Sequence, residues 1–341
     1  MKILFGVQTE GNGHITQAIA VKQYLQSKGL NVTAAFAAKK KKGLSSYFKD
    51  EFNVIEYEGF DFVFDKNGRV IIWKTILKGL IELPRLILSF IKICKIIQRE
   101  NPDVIFNYYE PLVGLSAIFF PSIKYVSFGH QYAMESVVYP FISGYTIQKI
   151  FLGIINDITS IGAKIVALSY YEFKDDTMIV SPPILRQESY TTSSKQEDFV
   201  LVYLMNEDML PQLISEANKH PELQIQCFTK LTKEHNVPSN IKLSNLDGKL
   251  FQEKMKVCKA VVCSGGFETS AEAIYQNKPL LMIPMPNHYE QHANCNDAYL
   301  SSYAITSEKI DLSKIPKYQF GNKKWFDSYQ NVLQSVLNYI Y

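Results

Sequence analysis

VVCSGGFETSAEAIYQNKPLLMIPMPNHYEQHAN, from Val261 to Asn294, reads as a buried strand, a glycine turn, a helix start rich in hydroxyls and carboxylates, and a second strand, followed by a polar loop from Asn287 to His292. A strand that enters a helix through Gly265 and Gly266 aims free backbone N–H groups at an anion, and the helix dipole adds to the attraction. Glu272 lies further into the same helix, positioned to accept hydrogen bonds from a sugar diol. A phosphate cradle with a diol acceptor behind it suits a nucleotide, and the polar loop is placed to read what the nucleotide carries.

Outward from this stretch the chain alternates strand and helix twice over. Short β-branched or aromatic runs fall at Ile3–Val7, Val32–Phe36, Val54–Tyr57, Val104–Asn107, Tyr125–Phe128 and Ile165–Leu168, with helix-compatible stretches between most of them. The alternation restarts at Phe199–Leu204, Gln224–Phe228, Ile241–Leu243, Ala260–Cys263 and Leu280–Ile283. Such a pattern predicts an α/β protein of two Rossmann-like parallel-sheet domains facing across a cleft. The expected division is residues 1–187, a Ser/Thr-rich linker at 188–198, a second domain at 199–322, and an amphipathic helix at 323–341 that packs back on the first domain.

The first glycine loop, TEGNGHITQA with Gly11 and Gly13, lacks a third glycine where Thr16 stands, and strand two ends in AFAAKKKK without an acid. Both departures argue against a dinucleotide fingerprint. The loop does offer His14 at the start of the first helix, at the carboxyl end of a parallel sheet where ligands bind. Imidazole serves as a general base near neutral pH, and a helix N-terminus favours its neutral form; a helix-capping or space-filling histidine is the competing reading. If strand four lies beside strand one, NYYEPL brings Glu110 near His14, where a carboxylate orients the ring; an exposed loop acid is the alternative. SFGHQY then adds His130 and Gln131 to the same rim, as substrate contacts or as structural hydrogen bonds.

Composition excludes several classes. A 341-residue chain, 47% apolar, has room for two cores and is not disordered. A net charge of +3 is too small to argue for nucleic acid. The five cysteines form no CxxC pair and no zinc spacing, which predicts buried free thiols in a reducing compartment. MKILFGVQ enters a strand at once, unlike a signal peptide, and a cytoplasmic location is expected. No metal is expected: there is no DxD triplet, and His288 and His292 lack the glutamate of an HExxH site. Lys39–Lys42 read as a solvated loop, or as attraction to anionic lipid or a phosphorylated acceptor.

The segment from Cys263 to Asn294 resembles the donor-binding region of GT-B glycosyltransferases, the group of UDP-glycosyltransferases and the bacterial lipid II N-acetylglucosaminyltransferase. Gly265, Gly266, Thr269, Glu272, Pro284, Gln291 and Asn294 stand at matching spacing. GNGHIT and the YEP…GHQYA pair resemble a bacterial and archaeal branch of glycosyltransferases. The resemblance implies that Gly265, Gly266 and Thr269 hold a pyrophosphate, that Glu272 grips the ribose, and that Phe251 and Met255 lie beside the base. It also implies that Glu290 and Gln291 face the transferred sugar. His14 deprotonates the acceptor, with Gly13, His130 and Gln131 on the acceptor side. Ser264 stands where many plant-type relatives have histidine, and Glu10 replaces a small residue. The implied reaction moves a hexose or N-acetylhexosamine from a nucleotide diphosphate sugar, UDP-linked by the resemblance, to an acceptor hydroxyl. It is inverting and metal-independent, with the donor a substrate and no cofactor.

From Lys74 to Arg99 the charges Lys74, Lys78, Glu82, Arg85, Lys92, Lys95 and Arg99 share one helical face, six of them basic, with Trp73 near the start and Pro84 opening a second helix. Such a surface suits an anionic membrane and a lipid-linked or cell-envelope acceptor at the inner face of the plasma membrane; ordinary domain helices with a solvated basic face are the plainer reading. Two functions compete with transfer. A sugar-nucleotide 2-epimerase shares the fold and an SGG turn, but MPMPNHYEQHAN replaces its Arg/Thr/Glu-rich loop. An inactive nucleotide-sugar-binding subunit leaves His14 without a role.

Overall fold

The computed structural model describes residues 1–9, 12–39, 43–44, 46–59, 63, 71–139, 142–191, 193, 195–317 and 323–341. Glu10, Gly11, Lys40–Lys42, Thr192 and Ser194, which entered the readings above, lie outside the described residues. The first half runs β1 (Ile3–Val7), α1 (Gly13–Ser27), β2 (Val32–Ala38), α2 (Ser46–Glu51), β3 (Val54–Tyr57), α3 (Ile72–Ile81), α4 (Leu83–Glu100), β4 (Val104–Tyr108), α5 (Pro111–Ser116), β5 (Lys124–Gly129), α6 (Thr146–Thr159), β6 (Ala163–Leu168) and β7 (Ile179–Ser181). The second half runs β8 (Val200–Tyr203), α7 (Leu210–Lys219), β9 (Ile225–Thr229), β10 (Ile241–Asn245), α8 (Gly248–Val257), β11 (Ala260–Ser264), α9 (Phe267–Tyr275), β12 (Leu280–Ile283), α10 (Tyr289–Leu300) and β13 (Ile305–Thr306). Two helices, α11 (Lys323–Asp327) and α12 (Tyr329–Ile340), close the chain.

The first sheet has seven strands in the order β3-β2-β1-β4-β5-β6-β7, the second six in the order β10-β9-β8-β11-β12-β13, and all pairings are parallel. Strand order reverses between β1 and β4 and again between β8 and β11, so each sheet has its ligand-binding crevice at the carboxyl ends of those pairs. Helices α1 and α9 begin there. Strands β1, β4, β11 and β12 are buried along their whole length, because parallel strands are covered on both faces and therefore read as unbroken apolar runs. The two Rossmann-like halves share one apolar cluster, which passes from Phe5 and Phe128 through Tyr170, Leu185 and Phe267 to Cys263 and Met282.

Helix α12 belongs to the first half. Lys124 Nζ donates to the carbonyls of Tyr339 and Ile340 at 3.0 and 3.1 Å, and the Trp325 indole donates to Ser169 O at 3.1 Å. Leu333, Val336, Leu337 and Ile340 fill the same cluster, and the stretch from Lys323 is two helices broken at Ser328. The first chain crossing lies between β7 and β8, the return crossing between β13 and α11.

Helices α3 and α4 depart from the ordinary pattern. Helix α3 buries only Thr75, while Trp73, Ile76, Leu77, Leu80 and Ile81 are exposed. Nothing among the described residues buries these apolar side chains. Among the described residues, no helix is long and apolar enough to cross a membrane. The thiols of Cys227, Cys258, Cys263 and Cys295 are free and buried, and Cys94 is partly so.

Helix α5 sits tightly on α6. A Cβ on Gly114 would stand 2.4 Å from Ile158 O and 2.7 Å from Thr159 Cα, both backbone atoms that cannot swing aside. Alanine would gain about 1 kcal/mol of helix propensity at an open position. Gly114→Ala is instead expected to lower the unfolding free energy by about 2 kcal/mol through overpacking, read from urea denaturation; a stabilised variant would refute the close approach.

Candidate functional site

The loop after β1 delivers Asn12, Gly13 and His14 to the start of α1, and the turn after β11 delivers Gly265 and Gly266 to the start of α9. These two helix starts face each other. A Cβ on Gly13 would lie 3.3 Å from Glu268 Cγ, so the approach leaves room for little more than hydrogen. From α1, Gln17 Nε2 donates to Glu268 Oε1 at 2.6 Å. Burial pushes the Glu268 carboxyl up to about 8, with Glu272 adding to the shift and Gln17 and Arg186 opposing it.

A ladder of five rings spans the cleft. Tyr109 stacks on His14 (centroids 5.3 Å, 11°), His14 faces His130 (6.4 Å, 19°), His130 stacks on Phe267 (4.6 Å, 5°), and Phe267 stacks on Tyr170 (4.7 Å, 28°). Only Phe267 comes from the second half. Tyr170 Oη and Ser270 Oγ lie 2.6 Å apart and fasten the far end. Tyr109, straight after β4, holds φ at 62°, a left-handed conformation that a bulky side chain rarely adopts and that is retained where the surroundings over-determine it. Its hydroxyl donates to Asn156 Oδ1 at 2.8 Å.

His14 is buried, with Nε2 3.4 Å from Gln131 Nε2. Burial first, and then the field of His130, lowers its pKa to about 4, against the opposing pull of Glu290 and Gln17. The imidazole is therefore neutral at ordinary pH, as a proton acceptor must be. His130 Nε2 lies 3.0 Å from Glu290 Oε1, a contact between the two halves. Burial alone would raise the Glu290 carboxyl, but the His130 bond and the fields of His130, His288 and His14 bring it down to about 2. Buried polar atoms with no partner gather around this point: His14 Nδ1, Gln17 Oε1, His130 Nδ1, Gln131 Oε1 and Glu268 Oε2. Polar atoms of this kind can still accept or donate hydrogen bonds.

The remaining donor-side residues are placed as follows. A Cβ on Gly265 would meet Gln291 O at 2.6 Å and Cys295 Sγ at 2.9 Å, so this glycine answers to the close packing of α10. Gly266 is different: a Cβ there would meet nothing within 4 Å, which leaves open space over the first turn of α9. Thr269 is half-buried in that turn. Glu272 is 2% exposed and engaged by protein. Arg186 donates to Glu272 Oε1 from Nη2 at 2.9 Å and Nε at 3.2 Å, Ser189 Oγ donates at 2.9 Å, and the Gln252 amide bonds the other oxygen. Gln291 accepts from Met285 N at 2.9 Å, and Phe251 packs in the core against Tyr203 and Phe228.

On the first half, β4 does lie beside β1, and Glu110 follows it. Its carboxyl caps α5 by accepting from Leu112 N at 3.4 Å and raises the pKa of Tyr57, while the carboxylate whose field reaches His14 is Glu290. His130 and Gln131 do meet His14. Sequence reasoning missed Tyr109, Phe267, Tyr170, Glu268 and Arg186. The adjacent pair Tyr108–Tyr109 before Glu-Pro was the one local sign; the others declare themselves only when the two halves are brought together. Among the described residues, no cluster of His, Cys, Asp or Glu is arranged to hold a metal ion.

Comparisons with known proteins agree with this architecture. The family described as Glycosyl transferase family 1 matches residues 1–320. A search of curated proteins finds no match. Among solved structures, the glycotransferase of kitacinnamycin is similar with a TM-score of 0.62 at 12% identity, covering 99% of this chain and 93% of that one. Arabidopsis thaliana UGT89C1 complexed with UDP-L-rhamnose follows at 0.60 and 14%, covering 99% and 90%. The Acinetobacter baumannii protein MurG follows at 0.54 and 14%, covering 100% and 91%. At these identities the likeness is one of fold.

The raised Glu268 carboxyl has a consequence for stability. An unfolded glutamate ionises near its ordinary value of 4.5, whereas the folded one holds its proton to about 8. Folding therefore takes up a proton between these values, and the stability present below the lower one is lost as pH rises through the window. Glu268→Gln is expected to flatten that decline, gaining more than about 1 kcal/mol over wild type at pH 8.5 relative to pH 4.5. Thermal unfolding of both proteins across pH 4–9 checks this; parallel curves would count against the buried acid.

Proposed function

Because the chain belongs to glycosyl transferase family 1 and is a GT-B glycosyltransferase, we propose that it moves a hexose or N-acetylhexosamine from a UDP-sugar to an acceptor hydroxyl, with inversion and without a metal. The observation that carries the reading is the meeting of a neutral buried imidazole at the start of α1 with an open helix start at α9. The acceptor O–H gives its proton to His14, its oxygen bonds the anomeric carbon, and the bond from that carbon to the diphosphate breaks. The leaving diphosphate takes its stabilisation from the N–H groups of the first turn of α9, from Phe267 onward, and from the helix dipole, a preorganised electrostatic role; the Gly266 N–H itself is spent on Ser264 O at 2.7 Å. Glu272 exchanges the Arg186 guanidinium for the ribose diol, one pair of charged or polar donors for another. One similar structure is complexed with UDP-L-rhamnose and another with thymidine diphosphate, which supports a nucleoside diphosphate.

For the acceptor, we infer a lipid-linked one reached from an anionic bilayer at the inner face of the plasma membrane. Helix α4 adds exposed Leu83, Ile87, Leu88 and Ile91 to the uncovered side of α3, and α6 presents Ile147, Ile150 and Ile154. Helices α4, α5 and α6 pack in succession on the first half, and the exposed Val137 and Val138 follow Gln131 along the chain. Apolar side chains exposed in such numbers suit an interaction surface. Exposed Lys74, Lys92 and Lys95 fringe it, as anionic lipid requires, although Arg85 is paired with Glu58 and Glu82, and Arg99 with Glu100.

Two measurements test this reading. His14→Ala is expected to lower transfer from a UDP-sugar by about 100-fold or more while calorimetry still detects UDP binding, and EDTA is expected to leave the wild-type rate unchanged. Release of a C2-inverted sugar nucleotide without acceptor would assign an epimerase instead. In flotation assays the full chain is expected to rise with vesicles containing anionic lipid at low salt, and Trp73→Glu with Leu80→Glu is expected to abolish this. A protein that ignores such vesicles has no bilayer-docking face.

A further inference from the structure

The reading above makes His14 the base, and the inference drawn next rests on it. His130 sits between two rings, His14 on one side and Phe267 on the other. Its Nε2 is bonded at 3.0 Å to Glu290, which α10 of the second half supplies. We propose that His130, fastened to Glu290 and Phe267 across the cleft, is the positioning residue that holds the His14 imidazole in place for proton abstraction.

Tyr109 and His130 both run nearly parallel to the His14 ring, at 5.3 and 6.4 Å between centroids, and both are themselves anchored, by Asn156 and by Glu290, so they restrain its orientation. Two imidazoles stacked at 6.4 Å disfavour carrying charge together. The Glu290 carboxylate is bonded to His130 and not to His14. The groups facing His14 are Gln17 from its own helix, Tyr109 after β4, His130 and Gln131 after β5, and Glu290 on α10, with Glu268 behind Gln17. Of these His130 lowers its pKa, while Glu290 and Gln17 raise it. With the halves apart, His130 would lose both Glu290 and Phe267, and the restraint on His14 would be gone.

The experiment follows the His14 ring by nitrogen-15 NMR in the full chain without substrate, the signal identified by its absence from His14→Gln, alongside the pH profile of transfer. Wild-type His14 is expected to titrate near pH 4. His130→Asn should move that midpoint up by about one unit and carry the acid limb of kcat/KM with it. His130→Phe keeps the stack and should raise the midpoint too, which covers the case in which the first variant does not fold. Glu290→Gln should move it down or leave it. A midpoint unmoved by both His130 variants, with activity reduced equally at every pH, overturns the positioning role. A midpoint that moves while the acid limb does not would instead refute His14 as the base.

Discussion

The ring of Phe267, held face to face between His130 and Tyr170, is the contact on which the rest of the site depends. It is the first residue of α9, so stacking fixes the helix start against the first half and sets the distance from the open turn at Gly266 to His14. Offset stacked rings are worth about 1 kcal/mol each beyond their buried area, a modest sum. Their importance lies in direction. Gln17–Glu268, His130–Glu290 and Tyr170–Ser270 all meet only if those rings are in register.

That arrangement also explains why the polar groups of the site tolerate burial. Each half brings acids or imidazoles that would be poorly solvated alone, and the other half supplies the partner: Gln17 for Glu268, Glu290 for His130, Arg186 for Glu272. Atoms left over, such as His14 Nδ1 and Gln131 Oε1, lie where two surfaces meet without fully matching. A buried polar atom with no partner is expensive.

Much of the architecture was legible in the sequence, because parallel strands covered on both faces write themselves as apolar runs. Ile3–Val7, Val54–Tyr57 and Leu280–Ile283 match the strands residue for residue. Strands β7 and β13 escaped, being three and two residues long at sheet edges and so without a run to detect. Spacing put Glu272 on the right helix but could not reveal Arg186, 86 residues away, on its carboxylate. Glu110 follows the expected strand, yet its carboxyl serves the next helix, since Pro111 starts α5 at once and leaves the acid as its cap. The charges from Lys74 to Arg99, expected on one helical face, are divided between two helices that meet at Glu82, while the exposure of the α3 apolar side chains is a tertiary fact that no periodicity records.

The polypeptide passes between the halves twice, outward after Ser181 and back before α11, and α12 is then bound into the first half. A body tethered at two places has lost most of its freedom to translate or twist, and what remains is a hinge about the line joining the tethers. Arg186 and Ser189 belong to the outward strap and grip Glu272, so that carboxylate sits close to the pivot and travels little. Phe267 and Glu290 swing through a wider arc. A substrate entering such a mouth would find its anchoring end already in place and its reacting end assembled last.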